Sequence, residues 1–424
     1  MLGLLAGEGL LWLFERTHGF GFHPHKGWTF VITAAIVVAA LLLMLAWFVV
    51  SLFVGWRFQF SIRSLLLLVV VVAIPCSWFA VEMKEASKQQ KTVEEIRKAH
   101  GWVQYDWEAG VPKPPAPVWL LDPLGVDFFS DVVSVFASNT QLRDAALKDL
   151  KDCKELQFLG LDNTRITDAG LKNLEGLTKL QKLCLSFTKV TDAGLRHLKG
   201  LTRLDTLVLS YTQVTDAGLV YLESLTQLET LHLNHTQVAD AGLQHLRGMT
   251  RLKNLALSNT RVTDAGLVHL ESLTQLQWLW LGGAQVTDAG LEHLRGLPRL
   301  GWLQLDDSQV TDVGVKHLTR LTKLRTLSLS SEATGAGLGR LRDFTQLQNL
   351  CLDCSQVTDA SLKNLKGVTQ LHSLSLSGTR ITDAGLEHLK GMKQLKDLDL
   401  SGTQVTSAGV GKLQQALPKC GILR

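Results

Sequence analysis

The sequence predicts an α/β solenoid of about twelve stacked 24-residue units, preceded by two transmembrane helices. Three observations carry this expectation. Leucines recur at a fixed interval from Val132 to Leu417, each interval holds strand-type and then helix-type spacing, and two long uncharged apolar runs lie ahead of the repeats.

The apolar runs come first in the chain. Composition directs attention to them, because 46% of the residues are hydrophobic and the mean hydropathy is +0.13. After a tail at 1–26, whose Leu4, Leu5, Leu10, Leu11, Trp12, Leu13 and Phe14 suggest a short interfacial helix, residues 27–56 contain no charge. Thirty residues of helix exceed the roughly 30 Å of a hydrocarbon core, so this segment reads as a first transmembrane helix. A short basic loop, 57–63, leads to a second uncharged run at 64–81, with Pro75 near its end. Two spans make a two-pass membrane protein with the bilayer itself as a partner. The side on which the repeats lie stays open on charge alone: Lys84, Lys88, Lys91, Arg97 and Lys98 argue one way, and Arg57 and Arg63 in the short loop argue the other.

Residues 82–131 read as a juxtamembrane helix, a strand near Gly101–Trp107, a linker containing Pro112, Pro114, Pro115 and Pro117, and an N-terminal cap. Trp119, Leu120, Leu121, Leu124, Phe128 and Phe129 supply its apolar surface, because an uncapped repeat stack exposes its core. The solenoid follows at 132–417, and 418–424 closes it as a C-terminal cap, with Leu413, Leu417, Cys420 and Ile422 as apolar contacts.

Within one unit, Leu183 and Leu185 alternate as on a strand, while Leu195 and Leu198 have helical spacing. Neither set is buried by one unit alone, so stacking is required. Thr191 is placed to cap the helical turn, Asp192 to favour its positive end, and Gly194 to let neighbouring coils approach. Thr188 and its counterparts Thr164, Thr212, Thr236 and Thr260 are expected to point inward and bond to loop backbone across coils. One interval, from Leu324 to Leu347, is a residue short. Ala284 replaces the inward Thr nearby, and Ser331–Gly335 lacks the usual Val-Thr-Asp segment.

The Leu-x-x-Leu-x-Leu spacing followed by Ile/Val-Thr-Asp-x-Gly-Leu resembles that of leucine-rich-repeat solenoids, which is the fold expected here, and within them it resembles the cysteine-containing class found in F-box-type adaptors. The departure is Thr188 and its counterparts where that class has Cys or Asn. Together with Arg57–Arg63 before an apolar run, the repeats look like membrane-anchored leucine-rich-repeat proteins of planctomycete bacteria. That resemblance implies an exported repeat domain on the non-cytoplasmic side, and it implies no activity.

Phosphate loops, zinc-hydrolase histidine pairs and nucleophile elbows are missing from the sequence, so no catalytic residue, cofactor or metal is expected. A net charge of +4, with acids and bases interspersed, gives no reason to expect nucleic acid. The helical-face histidines His197, His245, His269, His293, His317 and His388 are read as copies of one repeat position rather than metal ligands. Cys351 and Cys354 lack a second ligand pair.

Tryptophan placement is more informative. Of 11 in the chain, only Trp278, Trp280 and Trp302 lie in the repeats, all at outward strand positions. Adjacent strands lie about 4.8 Å apart, so they should cluster on the concave face. Gln304, Asp306 and Asp307 would be polar neighbours, with Tyr211, His232 and His235 extending the face. These nine residues are the expected ligand-binding group of a noncatalytic scaffold for a protein or peptide. The alternatives are an envelope polysaccharide stacked on the tryptophans, a purely structural role with the Trp rings packed on one another, and a hydrolase using Asp306, Asp307 and Asp353.

Overall fold

The computed structural model describes residues 37–39, 42, 62–108, 118–311, 313–329, 331–353 and 355–424. It divides into two units. The first takes in the chain up to Val135 together with Asp149–Leu156, and the second holds the remaining residues to Arg424.

In the first unit a 37-residue helix, α1 (Ile62–Lys98), precedes strand β1 (Trp102–Tyr105), the short helices α2 (Val118–Leu124) and α3 (Val126–Phe129), and strand β2, which begins at Val132. Its core gathers Ala86, Phe128 and Phe129, with Phe79, Met83, Leu121 and Leu124 packed against them. Gln89 ties the helix to the chain that follows. Its amide donates to Asp127 Oδ1 at 3.1 Å and to the Ser130 carbonyl at 2.8 Å, and its oxygen accepts from Val132 N at 3.2 Å. Burial beside Asp127 also raises the Tyr105 phenol, whose hydroxyl donates to that carboxylate at 2.9 Å.

Among the described residues no helix is long and apolar enough to cross a membrane. Residues 64–81, expected as a second transmembrane helix, are instead the N-terminal part of α1, which runs unbroken through Glu82, Lys84 and Glu85. Its Phe79 ring lies 5.5 Å from Phe128. Hydropathy reports that a helix seeks apolar surroundings and does not distinguish lipid from protein. The first expected span, 27–56, falls outside the described residues except at 37–39 and 42, and so does the 1–26 tail. The two-pass topology, the bilayer partner and the non-cytoplasmic placement that depended on spanning helices are therefore withdrawn.

The second unit is the repeat stack. Its strands run from β3 (Phe158–Gly160) to β14 (Gly421–Leu423), each pairing in parallel with the next in chain order. Leucines define the register: Leu255 faces Leu279 across one pair of strands, and Leu279 faces Leu303 across the next. Leu180, Leu183, Leu185, Leu195 and Leu198 are wholly buried, and their counterparts are buried along the stack until Val410 and Ile422 at its C-terminal end, which are half-buried. The return segment of a typical coil is a four-residue α-turn followed by a three-residue 3₁₀ turn, as at Asp192–Leu195 and Arg196–Leu198.

Two polar ladders accompany the leucines. The buried hydroxyls of Thr164, Thr188, Thr212, Thr236 and Thr260 donate to the carbonyl three residues earlier, at 2.6–2.7 Å. They bond within their own coil, not across coils as expected, because the turn after each strand brings that carbonyl closer than any neighbouring loop. The bonds across coils come from the helix-start aspartates. Asp168 accepts from Thr191 N at 2.8 Å and from its hydroxyl at 2.6 Å, and Asp192 does the same for Thr215. Each such Thr hydroxyl in turn caps its own α-turn, Thr191 Oγ1 accepting from Ala193 N at 3.2 Å.

Gly218 is small because of this ladder. A Cβ there would lie 2.4 Å from Asp192 Oδ1, whereas one on Gly200 would meet nothing within 4 Å. Gly218→Ala is therefore expected to destabilise the stack by about 1–3 kcal/mol, and Gly200→Ala to leave it unchanged. Denaturant unfolding of the two variants checks this. Equal midpoints would show that the aspartate ladder yields without cost.

The short coil keeps its strand register, Thr326 opposite Asn349, and absorbs the missing residue on the return side. An eight-residue 3₁₀ helix, Ala336–Asp343, replaces the usual two turns there, beginning after Gly335 at φ 90°. Without the aspartate, Ser361 Oγ donates to the Thr334 carbonyl at 2.6 Å in its place.

Candidate functional site

Alternate residues of each strand point away from the leucine core, so one face of the sheet is built from the two positions flanking each central Leu. In β8 (Trp278–Trp280) these are both tryptophans, and in β9 (Trp302–Gln304) a Trp and a Gln. Register sets Trp278 opposite Trp302 and Trp280 opposite Gln304. The indoles of Trp278 and Trp302 stack with centroids 4.8 Å apart and planes within 5°. Trp280 tilts against Trp278 at 5.7 Å and takes the His232 ring on its edge at 5.6 Å.

Just beyond most of the strands the chain makes a left-handed turn, and its residue forms a second column on this side. At that position Gly283, Gly378 and Gly402 have φ of 68°, 68° and 69°, where glycine carries no steric penalty. Phe187, Tyr211 and His235 hold the same conformation at 55°, 58° and 54°, which bulky side chains rarely adopt. Their backbone N–H groups are held by the next coil, donating to Ser210, Asn234 and Ser258 carbonyls at 2.8–3.0 Å. The rings form a continuous pile, 4.0 Å apart at each step, with Phe187 54% and Tyr211 43% exposed. Phe187 was not among the sequence candidates. Its 24-residue spacing from Tyr211 and His235 was the available signal. Tyr211→Asn is expected to alter thermal stability by less than about 1 kcal/mol, because relief of the left-handed backbone offsets the lost stacking. Calorimetry would check the balance, and a large loss would make the ring pile structural.

Most of the expected residues are distributed over two cavities, linked by the ring contact of Trp278 with Trp280. Tyr211, His232, His235, Trp280 and Gln304 line a cavity of about 320 Å³. Trp278 and Trp302 line a separate cavity of about 450 Å³ near the starts of the strands. Asp306 and Asp307 line neither. Asp307 is exposed in the left-handed column, and Asp306 accepts hydrogen bonds from Gln304 Nε2 and Ser328 Oγ. Burial lowers the basicity of His232, leaving a neutral imidazole to donate or accept in the first cavity.

Burial also raises the Asp306 carboxyl above the ordinary carboxylate range, with a smaller contribution from Asp307. A folded-state pKa above the unfolded value means that the folded form binds the proton more tightly. Stability contributed by this group is thus present at low pH and lost as pH rises through the window just above the usual carboxylate range. Asp306→Asn is expected to unfold at a higher temperature than wild type at pH 7, the difference vanishing below that window. A parallel pH dependence for both proteins would remove Asp306 as its source. Asp353 Oδ1 is engaged with Ser375 Oγ and with Ser377 N at 3.0 Å, so two of the three carboxylates of the hydrolase alternative, Asp306 and Asp353, serve inter-strand bonding.

On the return side, His245 and His293 contact Glu223 and Glu271 at 2.6 and 2.8 Å, and His197 contacts Glu175. Among the described residues no group of three or more such side chains is placed to hold a metal ion. Cys354 lies outside them.

Parallel single-strand coils with leucine cores define the fold as a leucine-rich-repeat solenoid. The leucine rich repeat family model matches residues 345–405. No curated relative matches the sequence. Among solved structures, an internalin of Listeria monocytogenes is 22% identical, with 67% of this chain covering 93% of that one at a TM-score of 0.45. Internalin C2 of the same organism is 27% identical, with 55% covering 89% at 0.41. A leucine-rich-repeat protein of Leptospira interrogans is 19% identical, with 65% covering 80% at 0.45. None of these likenesses is close enough to carry a role across. None is to the F-box-type cysteine class or to planctomycete membrane-anchored proteins, and the resemblance to those groups is withdrawn. Repeat spacing specifies the coil and leaves its lineage open.

Proposed function

We propose that the chain is a noncatalytic recognition scaffold that binds a protein or peptide on the outward strand face of its repeats. The observation that carries this reading is the Trp278–Trp302 pair. The two indoles stack on each other, yet Trp278 keeps 41% of its surface exposed beside an open cavity. Apolar area left in water on a rigid sheet is available for a partner to bury, and stacking lowers the entropy lost when it does so. The alternating return-side turns and leucine core hold the rings in place without contributing to contact.

The full chain used as bait against native proteins and against isolated glycans tests this reading. Recovery of a protein or peptide ligand that protects the indoles from chemical modification is expected. Recovery of glycans alone would transfer the face to polysaccharide binding, and recovery of neither would leave a structural scaffold.

A further inference from the structure

Resting on the reading of the Trp278–Trp302 face as a binding surface, we propose that its adjoining cavity selects an acidic peptide segment, seating a carboxylate beside an apolar side chain laid on the indoles. The cavity is lined by Trp278 and Trp302 together with Arg299, Lys323 and Arg325, and no carboxylate lines it. All three cations are exposed, and none of their side chains has a hydrogen-bond or ion-pair partner among the described residues. Their position sets them apart from nearby bases. Two coils before Arg299, Arg251 and Lys253 are already satisfied by Glu229, at 3.4 and 2.6 Å. Three unpaired cations around a small concavity concentrate positive potential where a carboxylate would be drawn.

Gly301 makes the opening. The position immediately before the strand carries Gln277, Arg325 and Gln348 in the neighbouring coils. These residues are joined through Gly301 by backbone bonds of 2.8 Å at each step. With no side chain at Gly301, the column has a gap between Gln277 and Arg325. A Cβ there would meet nothing closer than 3.6 Å, so the space is open rather than required by packing. The stacked rings and the three cations line the same cavity as this gap.

A nucleic acid would need a track of cations along the strand face. Here the three unpaired cations share one small cavity with two indoles, so a short acidic segment fits it and a polyphosphate chain does not.

Selection of random peptides displayed on phage against the full chain tests the proposal. Peptides enriched in Asp or Glu next to an apolar residue are expected. Their affinity should fall about tenfold in the combined variant Arg299→Gln, Lys323→Gln, Arg325→Gln and weaken with added salt in wild type only. Gly301→Gln, which copies the side chain of Gln277 and Gln348 and so should fold normally, is expected to abolish the acidic preference by filling the gap. Selected peptides with no acidic enrichment, or acidic enrichment unchanged in the folded variants, would overturn the proposal while leaving the strand-face reading intact. If wild type selects nothing beyond a Trp278→Ala, Trp302→Ala protein, both readings fail. Tighter binding of a thymidine oligonucleotide than of any selected peptide would also overturn it, in favour of nucleic acid.

Discussion

Leu279→Asp is expected to abolish cooperative folding of the repeat stack, while Trp280→Ala, one residue away, leaves its melting temperature nearly unchanged. Leu279 is wholly buried at the centre of its strand, with Leu255 and Leu303 in register on either side. A carboxylate there has no solvent and no cation, and it must either ionise in an apolar core or take a proton from neutral water. Either course costs several kcal/mol, a large part of the roughly 5–15 kcal/mol that stabilises a folded domain. Because each coil is stabilised chiefly by its neighbours, loss at Leu279 also uncouples the coils before it from those after it. Trp280 leaves the same strand on the opposite face and is only partly buried. Its removal deletes edge contacts to His232 and Trp278 but opens no void in the leucine core. Thermal unfolding followed by circular dichroism separates the outcomes, and comparable collapse of both variants would show that the tryptophans are part of the structural core.

The second large effect is expected in binding. Combined Trp278→Ala and Trp302→Ala substitution should lower affinity for a strand-face partner by a factor of about 30 or more. Aromatic anchors at an interface contribute roughly 2 kcal/mol or more on truncation, and 1.4 kcal/mol is tenfold. The rings stack on each other, so the two losses are coupled, and the double variant is the informative one. Leu279 and Leu303 remain in place between them, and helicity and melting should therefore hold. Titration of a recovered partner against wild type and variant measures the change. Unchanged affinity in a folded double variant would reduce the stack to a packing feature and move attention to the Tyr211–His232–Trp280 cavity.

Much of the stack is legible in the sequence. A period of 24 names the buried positions, because a leucine that recurs at one place in every coil has only the core to occupy, and Leu183 and Leu185 against Leu195 and Leu198 distinguish strand from turn by spacing alone. Outward placement of Trp278, Trp280 and Trp302 followed from the same alternation. Three matters required the tertiary structure. Residues 64–81 look equally apolar whether lipid or protein surrounds them, and only the packing of Phe79 on Phe128 shows a protein neighbour. Which hydroxyl bridges coils depends on distances between segments 23 residues apart, so Thr191 bridges to Asp168 while also capping its turn as expected, and Thr188 bonds only within its own coil. The division of the expected site into two cavities, and the cations gathered around Gly301, arise from inter-strand register. Periodicity determines which way a side chain faces; register decides what it faces beside.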